Sequence, residues 1–174
     1  MKILFILIIS LSIVLGSKNS QIDKETCNES DIVGYWLSPK DEISGRMSIV
    51  EIIKKDGKYF AYNVVFMDSL PANKDEHNQN FFLRDRDILG SVYIYNLERN
   101  TQNSYINGRY YDFNNGKVFH LKIKHNCDIL TLIISIDNIG VLGSKKVYQH
   151  LSSDDVGFYI KDKFLHIDFS GVEN

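Results

Sequence analysis

The stretch KYFAYNVVFM, from Lys58 to Met67, decides the fold class because apolar and aromatic side chains recur at every second position. One face of the stretch consists of Phe60, Tyr62, Val64 and Phe66, and the opposite face carries Ala61 and Asn63. A period of two is typical of a β-strand, in which successive side chains point to opposite sides. The stretch therefore predicts a strand with one face against a core.

The same alternation recurs later in the chain. One further stripe consists of Phe119, Leu121 and Ile123, and another consists of Leu130, Leu132, Ile134 and Ile136. Asp56-Gly57 and Asn115-Gly116 stand between alternating segments and are typical of tight hairpin turns. Asn107-Gly108 falls inside a predicted strand and indicates a bulge. Successive strands joined by short polar turns predict an antiparallel barrel or sandwich.

The first sixteen residues predict the compartment. Lys2 is followed by an apolar run from Ile3 to Gly16 and then by polar chain, which is the layout of a secretory signal peptide. The run is short for a membrane span, so we predict residues 1–16 as a cleavable signal peptide with no stable membrane span after cleavage. The polar residues 17–31 are predicted to form an N-terminal arm, and the protein is predicted to be periplasmic or secreted.

Two cysteines remain, Cys27 and Cys127. In an oxidising compartment they could pair and tie the arm to the body of the domain. A loop of that length would be stabilised by roughly 4 to 5 kcal/mol in the chain-entropy model. The alternative is two separate thiols without the geometry to meet.

Charge and motif spacing favour a binding or interaction protein over several other classes. Lys and Arg number 20 against 22 Asp and Glu, without a basic stripe, so we predict no nucleic-acid partner. No histidine has metal-motif spacing, and no serine stands in a nucleophile-elbow pattern. We therefore predict no metal, no cofactor and no catalytic residue, and an enzyme ranks below the other two function classes. Such an enzyme would need a titratable pair in the cavity, for example Glu51 with a histidine.

Two segments depart from the strand pattern. Residues 68–89 are rich in Asp, Asn, Lys and Arg, and a connection of this length in a compact domain is usually functional or mobile. Residues 152–174 are predicted as a C-terminal extension that forms a hairpin. Its strands would be Val156 to Ile160 and Phe164 to Phe169, around Lys161-Asp162.

Three motifs carry a resemblance to a known family. Gly34-Tyr35-Trp36 is similar to the G-x-W signature of the lipocalin superfamily, in which the Trp plugs one end of a barrel. The second motif is D-x-x-N, R, R, G, formed by Asp75, Asn78, Arg84, Arg86 and Gly90. The third is the block from Gly108 through Tyr111-Asp112 and Gly116 to Phe119. Together they resemble the exported bacterial proteins of domain of unknown function family 2147 (DUF2147), over roughly Ile32 to Leu151.

The resemblance implies an all-β fold, a lipocalin-like antiparallel barrel of about eight strands over residues 32–151. A barrel of this size can hold one small ligand or be filled by side chains. Glycines and polar residues of the motifs are expected to shape turns and to latch the long loop over one mouth of the barrel. These residues are Gly34, Asp75, Asn78, Gly90, Gly108, Asp112 and Gly116.

The leading functional hypothesis is binding of a small apolar or amphipathic molecule inside the barrel. The predicted ligand-binding residues are Trp36, Glu51, Phe60, Tyr62, Val64, Phe66, Arg84 and Tyr111, with Ile94, Leu132 and Ile134 as further lining. Two alternatives stay open for Glu51, a solvent-facing charge or a carboxylate inside the barrel held by an Arg or a Tyr. Arg84 and Arg86 are the candidate arginines.

The alternative function is that of a cell-envelope interaction module with a filled barrel. In that case the outer surface would make the contacts, through Tyr93, Tyr95, Tyr105 and the C-terminal hairpin.

Overall fold

The alternating segments of the sequence form the strands of one closed sheet. The computed structural model describes residues 31–68, 70–71, 73–160 and 166–172. Within these residues eight antiparallel strands pair in chain order, and the last pairs with the first. The strands are β1 Gly34–Leu37, β2 Ser48–Lys55, β3 Lys58–Phe66, β4 Val92–Thr101, β5 Ser104–Asp112, β6 Lys117–Asn126, β7 Ile129–Ser135 and β8 Gly143–Leu151. The predicted antiparallel barrel of about eight strands is confirmed.

Two sequence predictions fall outside the described residues. They are the signal peptide, residues 1–16, and the arm apart from its last residue, Asp31.

The turns form where the sequence predicts them. Asp56 and Gly57, with φ of 50° and 79°, join β2 to β3 in left-handed conformations that match a two-residue hairpin. Gly116 has a φ of 67° and ends the turn between β5 and β6, where its amide donates to the Asp112 carbonyl at 2.8 Å. Asn107 also has a positive φ, 62°, and the pairing of β5 with β6 shifts there. The predicted bulge is confirmed.

Strand register decides which side chains face the interior. Trp36 pairs with Val50, and Val50 pairs with Asn63, so these three share the inner face. The neighbouring row, Tyr35, Glu51 and Tyr62, therefore faces outward.

The two ends of the barrel differ in construction. At one end, the closed end, Trp36 is buried and its indole N–H donates to the Ile32 carbonyl at 2.9 Å. The rings of His125 and His150 meet it edge-on, with centroids 5.8 and 5.1 Å away. Large, fully buried side chains fill the adjoining half of the barrel, among them Tyr59, Leu97, Tyr105, Leu121, Ile123, Leu130 and Leu132. The other end, the open end, carries the longer connections, residues 38–47, 67–91, 113–116 and 136–142.

The C-terminal hairpin prediction is wrong, because Ser153–Ile160 forms a helix, α1. Ser152 precedes it, and its hydroxyl accepts from the Asp155 amide at 3.2 Å and donates to the Asp155 carboxylate at 2.6 Å. This reciprocal pair satisfies donors at the start of a helix, where Asp154 and Asp155 also suit the helix dipole. Val156 then packs on Ile49 and Val65 of the outer barrel face.

The end of the chain follows the barrel wall instead of pairing with α1. Residues 161–165 lie outside the described residues, and Asp168 forms a parallel bridge with Ser91. Phe169 meets the ring of Phe60 edge-on at 5.4 Å. No helix among the described residues has the length and apolar character needed to span a bilayer.

Gly116 is expected to be intolerant of any side chain. A Cβ there would lie 1.9 Å from the His77 carbonyl oxygen, because the long loop 67–91 packs directly on this turn. Gly57 has a similar φ but open space around it. We expect Gly57→Ala to cost about 1 to 2 kcal/mol of unfolding free energy from backbone strain alone. Gly116→Ala should cost about 3 kcal/mol or more, since it adds the clash. Urea unfolding of both variants tests this, and equal losses would contradict the close approach.

Candidate functional site

The motif residues of the long loop form a latch around a buried carboxylate. Asp75 is fully buried, and its carboxylate accepts from Asn78 Nδ2 at 2.6 Å and from Arg86 Nε and Nη2 at 2.9 Å. The hydroxyl of Tyr111, on β5, donates to the same carboxylate at 2.8 Å. Loop and strand are therefore joined through one charge.

The buried charge of Asp75 is fully satisfied within the latch. A buried carboxylate is costly unless it is paired and hydrogen-bonded, and Asp75 has both. Burial, together with the bond to Asp75, raises the pKa of Tyr111, so this phenol stays a neutral donor. The Arg86 guanidinium also donates to the Ser170 carbonyl, which brings the C-terminal segment into the same network.

The other motif residues serve the geometry of the barrel and its loops. Arg84 donates from Nε to the Asn78 carbonyl at 2.8 Å, which holds the loop from within. The Asp112 carboxylate accepts from the Asn114 amide at 3.0 Å in the β5–β6 turn. At Gly108 a Cβ would lie 2.6 Å from Leu97 Cδ1 and 3.2 Å from the Leu121 carbonyl oxygen, so a side chain there would force the neighbouring core to shift. Gly34 and Gly90 have φ of 133° and 79°.

Glu51 does not face the barrel interior, so that alternative is wrong. It lies in the outward row, where the Tyr62 hydroxyl donates to its carboxylate and Tyr35 makes a further side-chain hydrogen bond. Burial and the bond to Glu51 raise the pKa of Tyr62. The carboxylate is thus held by tyrosines, and the candidate arginines Arg84 and Arg86 bond elsewhere in the long loop.

The predicted apolar lining of β3 is divided by a bulge. The pairing of β2 with β3 shifts at Ile49/Val50, so Ile49 lies opposite Val65 while Val50 lies opposite Asn63. One extra residue reverses the in–out alternation. Phe66 therefore pairs with Ser48 and lines the interior, whereas Tyr62 lies on the outer face and Phe60 packs on Phe169 of the C-terminal segment. The prediction that Phe60, Tyr62 and Phe66 share one cavity wall is wrong, and Val64 stands at the bulge itself.

Two adjacent hollows occupy the open half of the barrel. The inner one has a volume of about 100 Å³ and is lined in part by Ser48, Asn63, Tyr93 and Tyr148. The outer one has a volume of about 410 Å³ and lies against the open-end parts of β5, β6, β7 and β8. Its apolar wall consists of Phe119, Ile134, Ile136 and Leu142. Tyr110, Asp112 and Lys146 line both hollows. We call the pair the mouth cavity.

Three buried tyrosines line the base of the mouth cavity. The hydroxyls of Tyr93 and Tyr148 are 3.3 Å apart, and the ring of Tyr93 meets that of Tyr110 edge-on at 5.6 Å. Burial raises the pKa of all three phenols, so they remain neutral at physiological pH. A neutral phenol can both donate and accept, which suits recognition of a polar group.

Lys146 is the cation at the boundary between the two hollows. Its Nζ lies 3.2 Å from the Asp41 carboxylate and 3.3 Å from the Tyr110 hydroxyl. Burial alone would raise the pKa of Asp41, but hydrogen bonds from Ser44 and the charge of Lys146 lower it overall. Asp41 also accepts from the Ile43 and Ser44 amides at 3.1 and 2.8 Å, so its own loop satisfies it in part. Lys146 can therefore bond to a guest without leaving Asp41 unsatisfied.

Tyr110, Tyr148 and Lys146 were not predicted as site residues from the sequence. Ser144, Lys146, Tyr148 and His150 alternate along β8, a signal for one strand face. The polarity of Ser144, Lys146 and His150 suggests a row that faces solvent. In the barrel, however, Ser144, Lys146 and Tyr148 lie opposite the inward-facing residues Ile134, Leu132 and Leu130, so the row faces inward.

The tyrosines proposed as an outer contact face are buried, so that prediction is wrong. Tyr93, Tyr95 and Tyr105 are 3%, 1% and 0% exposed. Tyr93 belongs to the cavity base, and Tyr105 packs edge-on against Tyr59 at 5.1 Å near the closed end. β4 is buried on both faces. Its inner side chains pack in the barrel interior, and part of the outer barrel wall is covered as well.

Cys127 is half of a disulfide. Cys27, its predicted partner, lies outside the described residues, so the pairing stays a prediction.

Comparison with known proteins agrees with the fold. A family model described as an uncharacterized protein conserved in bacteria, DUF2147, matches residues 34–149. Among solved structures, protein HP1028 of Helicobacter pylori is similar, with a TM-score of 0.70 and 27% sequence identity. The match covers 74% of this chain and 88% of that one, and HP1028 is described as belonging to the lipocalin family. No curated protein matches the chain.

The latch is expected to contribute more to stability than any surface pair in the same loop. Asp75→Asn leaves Arg86 without its charge partner and should cost about 3 to 5 kcal/mol of unfolding free energy. Tyr111→Phe removes one hydrogen bond and should cost about 1 kcal/mol. The control is Lys74→Gln, which breaks an exposed pair with Asp87 and should cost less than about 1 kcal/mol. A small effect of Asp75→Asn in denaturant unfolding would contradict the latch.

Proposed function

Since the chain belongs to the DUF2147 family and forms a lipocalin-like barrel, we propose that it binds a small amphipathic molecule in the mouth cavity. The observation that carries the proposal is the division of the barrel into a filled half and a hollow half. The outer hollow, about 410 Å³, falls within the range of about 300 to 1,000 Å³ that ligand sites occupy.

The two walls of the cavity suit the two parts of such a molecule. Its apolar part would lie against Phe119, Ile134, Ile136 and Leu142, where removal of apolar surface from water drives binding. Its polar end would reach Lys146 and the Tyr110 hydroxyl at the inner boundary. A few placed polar groups in an apolar pocket fix the orientation of a guest.

We further propose that the protein performs this function outside the cytosol, in the periplasm or after secretion. The support is the layout of residues 1–16, which is typical of an export signal. Amino-terminal sequencing of the protein recovered from periplasm tests this, and a chain that begins at Met1 in the cytosolic fraction would contradict it.

Native mass spectrometry of protein purified from its own periplasm tests the binding function. We expect a co-purifying small molecule whose removal by mild organic extraction restores the mass of the chain alone. A second measurement is the binding of a fluorescent apolar probe, 1-anilinonaphthalene-8-sulfonate, to the extracted protein. No co-purified molecule and no saturable probe binding would together contradict the proposal.

A tryptophan inside the mouth cavity is expected to displace the probe. Ser144 lines the outer hollow, and Val147, three residues away on β8, lies on the outward face. Ser144→Trp should weaken probe binding at least tenfold, because the indole occupies the volume that the probe needs. Val147→Trp is the matched control and should leave the affinity within twofold. Equal effects of the two substitutions on probe titrations would place the binding site elsewhere.

Lys146→Met is expected to change selectivity for the polar end of the guest. Methionine keeps much of the apolar stem but removes the charge that faces Tyr110 and Asp41. We expect at least fivefold weaker binding of dodecanoate and an unchanged affinity for dodecanol, since only the carboxylate pairs with the ammonium group. Calorimetric titration of both compounds measures this, and equal losses for both would show that Lys146 acts through packing alone.

A further inference from the structure

Exposed apolar side chains are concentrated at the open end of the barrel. The loops and strand ends there carry Ile43, Met67, Leu70, Phe81, Phe82, Val118, Ile136, Ile139, Val141 and Leu142, each exposed. The closed-end turns, residues 56–57, 102–103 and 127–128, are all described and carry no exposed large hydrophobic residue. Contiguous exposed apolar surface on a soluble domain usually marks an interaction site.

The loop between β7 and β8 holds its apolar side chains outward by a polar anchor. The Asp137 carboxylate accepts from the amides of Ile139, Gly140, Val141 and Leu142 at 2.6 to 3.2 Å. These backbone bonds, that of Leu142 foremost, lower the pKa of Asp137 to about 2. Lys122 Nζ adds a bond to the Ile139 carbonyl at 3.0 Å. These four amides and the Ile139 carbonyl are thus satisfied by Asp137 and Lys122, and Ile139 and Val141 remain exposed at the tip of the loop.

The outer wall of β6, β7 and β8, which runs from this loop toward the closed end, is basic, with Lys122 and Lys145 opposite Ile133 and Lys124 farther along opposite Thr131. Burial and register identify the inward-facing residues of β6, β7 and β8. Lys122, Lys124 and Lys145 alternate with them and therefore face outward. No Asp or Glu occurs in β6, β7 or β8, and the Asp137 charge is directed at backbone amides. We call these three lysines the basic wall. An exposed apolar tip beside a basic wall has the polarity of a protein that lies in a membrane interface, with lysines at the level of anionic headgroups.

We propose that the β7–β8 loop inserts into the interface of a bilayer that contains anionic phospholipid, with the basic wall against the headgroups. Charge complementarity between the basic wall and anionic headgroups, together with the exposure of Ile139 and Val141 at 72% and 75%, favours a bilayer over a protein partner, whose anchors usually fit a pocket. Ile136 and Leu142 belong both to this loop and to the wall of the mouth cavity. The cavity would therefore open beside the acyl chains, and its guest would come from the bilayer. This last consequence rests on the proposed function, whereas docking itself does not.

Vesicle flotation with the purified protein tests docking. The probes are vesicles of phosphatidylcholine alone and vesicles with 30% phosphatidylglycerol, without any added small molecule. We expect binding to the anionic vesicles, at least fivefold weaker binding to phosphatidylcholine alone, and weakening with salt because the lysine contribution is screened. Failure to float with anionic vesicles, or equal affinity for both compositions, would overturn the proposal.

Two pairs of variants separate the apolar tip from the basic wall. Ile139→Ser/Val141→Ser changes exposed residues that do not line the mouth cavity and should weaken vesicle binding at least tenfold. Lys124→Gln/Lys145→Gln should weaken it about tenfold or more, since each lysine near the surface contributes about 1 kcal/mol. The controls are Phe158→Ser/Val33→Ser, which are exposed apolar residues elsewhere, and Lys55→Gln/Lys58→Gln at the closed end.

The controls should retain wild-type vesicle binding within twofold, and circular dichroism should show that all variants remain folded. Full binding by either test pair, or an equal loss in its control, would overturn the proposal. Probe binding to the mouth cavity, measured on the same variants without vesicles, is expected to be unchanged. The failure of docking and the failure of cavity binding are therefore separate results.

Discussion

Closure of the hydrogen-bonded sheet is the constraint on which the other features depend. Only Tyr35, Trp36 and Leu37 of the short strand β1 pair with β8, yet this seam removes both open edges of the sheet. Once the sheet is closed, alternation divides each strand into an inner and an outer row. The inner rows must then be filled by side chains or left as a cavity. Both outcomes occur here, one in each half of the barrel.

The two ends differ because the sequence places large side chains unevenly along the strands. Trp36, with the rings of His125 and His150, fills the closed end, and the aliphatic residues above it pack tightly. Toward the open end the interior is lined by tyrosines, a lysine and small polar residues, which do not fill it. The latch around Asp75 fixes the long loop over one side of this opening, so that the entrance remains on the side of β6, β7 and β8. The mouth cavity and the exposed apolar side chains of the β7–β8 loop lie on the same side of the barrel, as the proposed route between bilayer and barrel requires.

Residues with strong local signals were predicted well. The alternating segments, the Asp56-Gly57 turn and the Asn107-Gly108 bulge depend on backbone preferences that act over a few residues. The motif residues Asp75 and Asn78 were expected to latch the long loop, and Asp75 does bond to Asn78 and Arg86 of the loop and to Tyr111 of β5. The C-terminal helix was missed because the alternation from Val156 to Ile160 resembles a short strand, whereas the Ser152–Asp155 pair starts a helix.

The sequence by itself determined the fold class, because periodicity and turn residues are local properties that do not depend on how the strands pair. Only the tertiary structure decided which face of each strand became the interior. A single extra residue in β3 reverses the alternation, so Phe66 faces the cavity while Tyr62 faces Glu51 outside. The same dependence on register brings Lys146 and Tyr148 inward on a strand that reads as polar. Which side chains meet across the barrel depends on the pairing of distant strands, and no spacing within one strand contains that information.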